Sequence, residues 1–195
     1  MNVRGSPWLF WIVLAAPALL VAGPLAGPDA DLDALTARSG EWAARLLVLV
    51  LALTPLQRLL PGSGAVAWLI RHRRAIGVAA FGHALLHLGI YLAAMGALAP
   101  IAAEALAPAM VTGWLALLLM LPLALTSNAL ALRRLGGRTW RRLHRLAYPA
   151  ALLTLVHWLL IHDSVLAAWL TAAPLIVLQV LRIAGVSGRL SRSIP

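Results

Sequence analysis

The chain has 195 residues, and 62% of them are hydrophobic, well above the 45–50% that is typical of a soluble domain. Its formal net charge is +10 and it contains no cysteine, which excludes disulfides and metal centres held by thiolates. All 16 basic residues are arginines, and they lie in short segments between apolar runs instead of forming a basic face or tail. This distribution argues against nucleic acid as a partner and predicts a small polytopic membrane protein.

Six segments approach the roughly 20 apolar residues that are needed to cross a hydrocarbon core of about 30 Å. In chain order they are 8–25, 42–60, 75–98, 111–132, 143–162 and 165–182. Glycine and proline mark the connectors, at Gly23-Pro24, 61–64, Pro100 and Gly136-Gly137. Because the spans use most of the chain, we expect one all-α transmembrane domain over residues 1–195, a six-helix bundle.

The arginines predict how this bundle is oriented. If the N-terminus is cytoplasmic, 14 arginines fall inside and only Arg38 and Arg45 fall outside, while all six acids fall outside. Arginine is concentrated in cytoplasmic loops, so both termini are predicted to be cytoplasmic. An alternative concerns the start, because Arg4, an apolar run and 21–23 also resemble a secretory signal peptide, whose removal would leave five spans.

The six histidines are the polar residues that carry most information in this apolar chain. They are His72, His83, His87, His144, His157 and His162. His83 and His87 lie one turn apart in the third span, and His144 and His157 lie in the fifth. An ionisable side chain inside a membrane is costly, so it usually faces the bundle interior and has a partner.

Depth separates His87 and His157 from the other histidines. An α-helix rises about 1.5 Å per residue, so His87 lies about 20 Å beyond Arg74 and His157 about 18 Å beyond Arg145. Two imidazoles at one depth on separate helices can clamp a haem, form an interhelical polar pair, or mark a proton or ion pathway. Depth and residue type alone do not distinguish these three roles.

For the remaining histidines, structural or solvent-exposed roles are the simpler interpretation. A helix–helix hydrogen bond is the commoner role for a residue such as His83, and His72 and His162 are expected to be solvated. His144 is either an interfacial residue or a functional one. Thirteen residues at 100° each put His144 and His157 about 220° apart on an ideal helix, so Pro149 between them predicts a kink or local unwinding.

Four segments carry a resemblance to the MsrQ (YedZ) family, the haem-binding membrane subunit of a bacterial periplasmic protein-methionine-sulfoxide reductase system. They are TPLQR (54–58), RRAIGVAAFGHALLHLGIY (73–91), LALTSNALALRRLGGRTWRRLHRLAY (123–148) and HWL (157–159). The wider relatives of this family are ferric-reductase-like transmembrane domains. The resemblance covers the second to the sixth span and implies a multi-pass protein of the bacterial inner membrane.

The resemblance implies b-type haem, one or two per chain, with ligands at His87, His157 and His144. It implies that Arg73 and Arg74 match a basic pair at the cytoplasmic end of the third span, near a site for quinone, flavin or a second haem. The implied donors are the quinone pool or a cytosolic flavin reductase, and FMN is a further implied cofactor. The implied acceptor is a periplasmic molybdopterin reductase similar to MsrP, so this chain is expected to transfer electrons and not to catalyse the repair of oxidised proteins itself.

Two positions depart from the family pattern. His83 stands where an aromatic residue is expected, which makes it an alternative ligand, and His72 lies at a height that suits a second ligand of an inner haem. The rival readings are a related ferric reductase or b561-like cytochrome and, from another class, a haem-free transporter or membrane scaffold. Membrane lipid is an expected partner in every case.

Overall fold

The computed structural model describes residues 7–27, 30–161 and 165–184, and within these ranges all regular structure is helical. The α-helices are α1 (Pro7–Ala22), α2 (Leu32–Leu59), α3 (Gly64–Met95), α4 (Leu98–Glu104), α5 (Pro108–Leu125), α6 (Ala129–Leu143), α7 (Ala147–Ile161) and α8 (Val165–Ile183). Short 3₁₀ turns follow α1 (Gly23–Ala26) and precede α7 (His144–Leu146). The predicted all-α membrane architecture is therefore confirmed.

Helices α2 and α3 form the centre of the bundle and pack against each other along their length. Both begin about ten residues before the predicted spans, because polar caps extend them beyond the apolar run. Asp31 accepts a hydrogen bond from the Ala34 amide, and Ser63 accepts one from the Val66 amide. The arginine cluster before the third span is consequently helical, and the predicted connector at 61–64 shrinks to a tight turn that ends at Ser63.

The fourth predicted span, 111–132, is divided in the structure. Helix α5 ends at Leu125 because the hydroxyls of Thr126 and Ser127 donate to carbonyls one turn back, and Asn128 then caps a new helix by accepting from the Ala131 amide. The predicted loop 133–142 lies in that new helix, α6. Gly136 interrupts α6 with a φ of 72°, a left-handed conformation that favours glycine.

The fifth predicted span, 143–162, begins with the 3₁₀ turn His144–Leu146 and continues as α7. Pro149 therefore lies in the first turn of a helix, where its missing N–H costs nothing, and the local unwinding occurs just before it. His162 lies outside the described residues. The turn and α7 together rise about 28 Å, close to the thickness of a hydrocarbon core.

The described part of the chain contains five helices long and apolar enough to cross a membrane, namely α1 with its 3₁₀ turn, α2, α3, α5 and α8. A buried cluster that includes Leu47, Leu53, Ile76, Met120 and Ala150 joins α2, α3, α5 and α7. Many other large apolar side chains remain exposed, especially on α1 and α8. A bundle with an apolar exterior suits lipid as its surroundings.

Candidate functional site: two cavities inside the bundle

A cavity of about 350 Å³ lies between α2, α3, α5 and α7, at the end of the bundle that the arginine count places outside. His87 and His157 both line it, on α3 and α7. Their ring centroids are 6.0 Å apart and the ring planes are nearly perpendicular, at 84°. The structure thus brings together two imidazoles that are 70 residues apart in sequence, as their matched depths predicted.

Each of these rings is oriented by a backbone carbonyl. His87 Nδ1 lies 2.9 Å from the Thr36 carbonyl oxygen, and His157 Nδ1 lies 2.7 Å from the Ala109 carbonyl oxygen. A carbonyl only accepts, so each Nδ1 carries a proton and donates it. In the neutral form of either ring the lone pair would then be on Nε2, the nitrogen that binds a metal. Metal-bound histidines are usually held in this manner, with the other ring nitrogen donating to a carbonyl or carboxylate.

The spacing of the rings suits a metal between them. A metal–imidazole bond is about 2.0–2.1 Å and the ring centre lies about 1.1 Å behind the nitrogen, so two imidazoles that share one metal would have centroids about 6.2–6.4 Å apart. The 6.0 Å between the His87 and His157 centroids is within a few tenths of an ångström of that separation. Two imidazoles that line a mostly apolar cavity also form a donor set that fits haem iron.

Gly40 and Gly113 leave space for the His87 and His157 rings, and neither glycine was predicted from the sequence to be part of the site. A Cβ on Gly40 would lie 3.0 Å from His87 Nδ1, and a Cβ on Gly113 would lie 2.8 Å from His157 Cε1. Alanines further widen the cavity along α2, including Ala37. Small residues at helical spacing in the second span were a possible signal for this cavity. A single sequence does not show which helix packs against that face, so the cavity could not be predicted from it.

The outer rim of this cavity is acidic. Asp33, Glu41 and Glu104 line it, together with Tyr91 and Trp114, whose rings meet edge to face at 6.3 Å between centroids. The acids lie at the end of the helices that was predicted to be periplasmic.

A second cavity of about 320 Å³ lies towards the other end of the same helices and shares Leu47 and Met120 with the first. Its lining is basic and aromatic. The polar and aromatic residues that line it are Arg73, Arg74, Arg141, Arg145, His144, Trp140, Tyr148, Phe81, Ser127 and Thr54. No carboxylate of the described residues contributes to it.

His144 is held tightly in this inner cavity. Its ring stacks on Trp140, with centroids 3.8 Å apart and planes 24° apart, and the Trp140 indole N–H donates to the Thr126 carbonyl at 2.9 Å. The Thr126 hydroxyl donates to Pro122 and lies 3.2 Å from His144 Nε2, so it accepts from that nitrogen. His144 is thus held through Nε2, whereas the two outer histidines are held through Nδ1.

Arg73 and Arg74 line the inner cavity together with His144 and make its surroundings positively charged. The Arg74 guanidinium also lies 5.4 Å from the centre of the Trp140 ring, within cation–π range.

Two sequence candidates lie outside both cavities. His83 is only 3% exposed and its Nε2 lies 3.1 Å from the Leu14 carbonyl, so it joins α3 to α1 instead of facing the outer cavity. His72 contacts the rings of Phe10 and Trp68, and its Nδ1 donates to the Trp68 carbonyl of its own helix. Among the histidines in the described ranges, His144 alone lines the inner cavity.

Comparison with known proteins agrees with this geometry. Residues 39–155 match the ferric reductase like transmembrane component family. A protein of Xanthomonas axonopodis pv. citri, named protein-methionine-sulfoxide reductase heme-binding subunit MsrQ, is 39% identical over 88% of this chain and 75% of its own length. Proteins with the same name from Ralstonia nicotianae and Azospira oryzae are 38% and 41% identical over 78% and 66% of this chain.

The chain spans 66% of the Ralstonia protein and 54% of the Azospira protein. No solved structure matches. On the family match over 117 of 195 residues (39 to 155) and these relatives, the chain belongs to the MsrQ family of ferric-reductase-like transmembrane proteins.

Proposed function

We propose that this chain is the haem b electron-transfer subunit of a protein-methionine-sulfoxide reductase system, set in the bacterial inner membrane. The observation that carries the proposal is the facing pair His87 and His157, 6.0 Å apart in an apolar cavity with both Nδ1 atoms tied to carbonyls. The relatives are named as heme-binding subunits, which supports haem as the group that the pair would hold.

The same pair argues for electron transfer and against oxygen or substrate chemistry. His87 and His157 would hold the haem, which when bound would supply a one-electron redox centre; a pair of protein imidazoles is the ligand set of electron-transfer haems and not of haems that activate oxygen. The Thr36 carbonyl orients the His87 ring and the Ala109 carbonyl orients the His157 ring. Ligands that are already held in one orientation need little rearrangement when an electron is gained or lost, which favours fast electron transfer.

The partners follow from the relatives' names and from the predicted orientation. The outer cavity lies at the predicted periplasmic end, so we propose that electrons leave there for a periplasmic methionine sulfoxide reductase subunit similar to MsrP. Repair of oxidised periplasmic proteins would then be that subunit's reaction. The ferric reductase alternative uses the same conduit with a different acceptor, and electron transfer to a purified reductase distinguishes them.

We propose further that electrons reach the outer haem from the inner cavity. Four arginines without a carboxylate suit a redox group that carries negative charge, such as the phosphate of FMN or the propionates of a second haem. Trp140 and His144 offer stacking surface and a hydrogen-bonding ring to the same group, or to the headgroup of a quinone. The donor would be the quinone pool or a flavin reductase on the cytoplasmic side.

The test of the outer site is haem content in single-histidine variants. His87→Ala and His157→Ala should each lose most of the outer haem, which the pyridine haemochrome assay detects per folded chain. His72→Ala is the matched control, since His72 lies outside both cavities and should keep wild-type haem. Full haem in both outer variants would overturn the ligand assignment, and a wild-type protein without a Soret band would favour the transporter or scaffold reading.

A further inference from the structure

Helix α6 stands apart from the bundle that surrounds the two cavities. It lies between the end of α5 at Leu125 and the start of α7 at Ala147, so both of its ends are anchored at the same face of the membrane domain. It packs mainly against the 3₁₀ turn that follows it. Most of its surface is consequently open to whatever lies at that face.

The first half of α6 is amphipathic. At 100° per residue, Arg133 and Arg134 fall on one side of the helix, and Leu132 and Leu135 fall on the other. Both arginines are exposed, and Leu135 is 38% exposed. An apolar side chain left open beside a basic face is costly in water and is typical of a helix that lies at a membrane surface.

The second half repeats the pattern after the turn at Gly136. Arg138, Arg141 and Arg142 fall on one side of the helix, and Trp140 and Leu143 fall on the other. The three arginines are exposed, whereas Trp140 is buried against the inner cavity. Each half of α6 therefore carries its arginines on one side and its apolar groups on the other, and Arg141 also lines the inner cavity.

Nothing in the described chain neutralises these five charges. Helix α6 contains no acidic residue, and the ion pair that the described residues form, Arg45 with Glu41, lies on α2, where Glu41 lines the outer cavity. Four of these arginines lie outside both cavities, on a helix that connects α5 to α7 and also exposes Leu135. This combination matches the inner-leaflet boundary between anionic headgroups and acyl chains. A soluble acidic partner would match the charges but would not need the exposed leucines.

We propose that α6 is an interfacial helix that binds anionic phospholipid through Arg133, Arg134, Arg138 and Arg142. Its apolar side rests in the acyl boundary, and its arginines meet the headgroup phosphates. The proposal does not depend on haem or on the identity of the electron donor.

The test uses the full chain in detergent, titrated with phosphatidylglycerol or with phosphatidylcholine, while native mass spectrometry counts the bound lipids. The variant R133Q/R134Q removes two charges from α6, and R58Q/R71Q is the matched control that removes two exposed arginines elsewhere on the predicted cytoplasmic side. Arg138→Gln repeats the test in the second half of the helix, and circular dichroism checks folding. None of these arginines lines either cavity.

Each basic residue near an anionic surface changes affinity by about fivefold, so R133Q/R134Q should bind phosphatidylglycerol about 5- to 30-fold more weakly. Its binding of phosphatidylcholine should not change, and R58Q/R71Q should weaken phosphatidylglycerol binding distinctly less than R133Q/R134Q does. Equal weakening in the control, or no weakening in the α6 variants, would overturn the proposal. The proposal would also be overturned if the α6 variants bound phosphatidylglycerol normally but lost affinity for a soluble acidic reductase. Helix α6 would then be a protein-docking surface.

Discussion

Replacing Gly113 with alanine tests whether the fit around His157 is as tight as the structure shows. The added Cβ would lie 2.8 Å from His157 Cε1 and 2.9 Å from Nδ1, against 3.4–4 Å for an ordinary contact. The ring must therefore move by at least 0.6 Å (3.4 minus 2.8), away from a site where its Nδ1 donates to Ala109 at 2.7 Å. Overpacking of this kind costs about 1–3 kcal/mol, and a weakened hydrogen bond costs about 1 kcal/mol more.

The combined cost of about 2–4 kcal/mol corresponds to a haem affinity about 30- to 1,000-fold lower, because 1.4 kcal/mol is tenfold. The assay is a titration of apoprotein with haem, followed at the Soret band, with the rate of haem loss to apomyoglobin as a second reading. Gly82→Ala is the control, since a Cβ there meets no heavy atom within 4 Å. Gly40→Ala should fall between the two, because its Cβ would lie 3.0 Å and 3.1 Å from atoms of His87.

If Gly113→Ala binds haem as tightly as Gly82→Ala and its spectrum is unchanged, the reasoning fails. His157 would then not occupy the position that the structure gives it in the loaded protein. If Gly40→Ala binds haem more weakly than Gly113→Ala, the ranking expected from the two distances is wrong. His87 would then be the ring that adapts less well to an added methyl group.

Four further outcomes are expected. His83→Phe should retain haem and lower the thermal unfolding midpoint, because the Leu14 carbonyl loses its partner on α3; haem loss would return the ligand role to His83. His144→Ala should keep the outer haem reducible by dithionite but slow its reduction by a quinol, or by a flavin reductase with NADH, and wild-type kinetics would make His144 an ordinary interfacial residue. Gly136→Ala should destabilise the protein by about 1–2 kcal/mol in chemical denaturation, because φ is 72° there, and an unchanged midpoint would place that strain in doubt. An alkaline phosphatase fusion at Gly64 should be inactive, and activity would reverse the orientation and the direction of electron flow.

The sequence predicted the pairing of His87 and His157 because helix rise is nearly invariant, and a count of residues from a charged boundary gives a depth. Rotation about the helix axis is less certain, so the sequence could not say that His83 turns towards α1. That outcome depends on the Leu14 carbonyl being within reach, which is a tertiary fact. Helix geometry alone did not decide between a haem, a polar pair and a proton or ion pathway. The motifs shared with the family favoured haem as the group between His87 and His157.

Apolar length was a poor guide to where the helices begin, at the outer end of α2 and at the inner end of α3 alike. Helices α2 and α3 continue into polar sequence because their caps lie ten or more residues upstream, and hydropathy does not register a cap. The segment 129–143 was predicted to be partly span and partly loop because its arginines break the apolar run. Those arginines alternate with leucine at helical spacing, and that periodicity was the signal for α6.

The central claim is that His87 and His157 are the two axial ligands of one haem, and low-temperature electron paramagnetic resonance of the oxidised protein tests it most directly. Nearly perpendicular imidazole planes, at 84°, leave two iron d orbitals almost degenerate and give a strongly anisotropic low-spin signal. We expect that signal in the wild type and its replacement by a high-spin signal, or its loss, in His157→Ala. A high-spin signal alone in the wild type, or the wild-type low-spin signal preserved in both His87→Ala and His157→Ala, would contradict the claim.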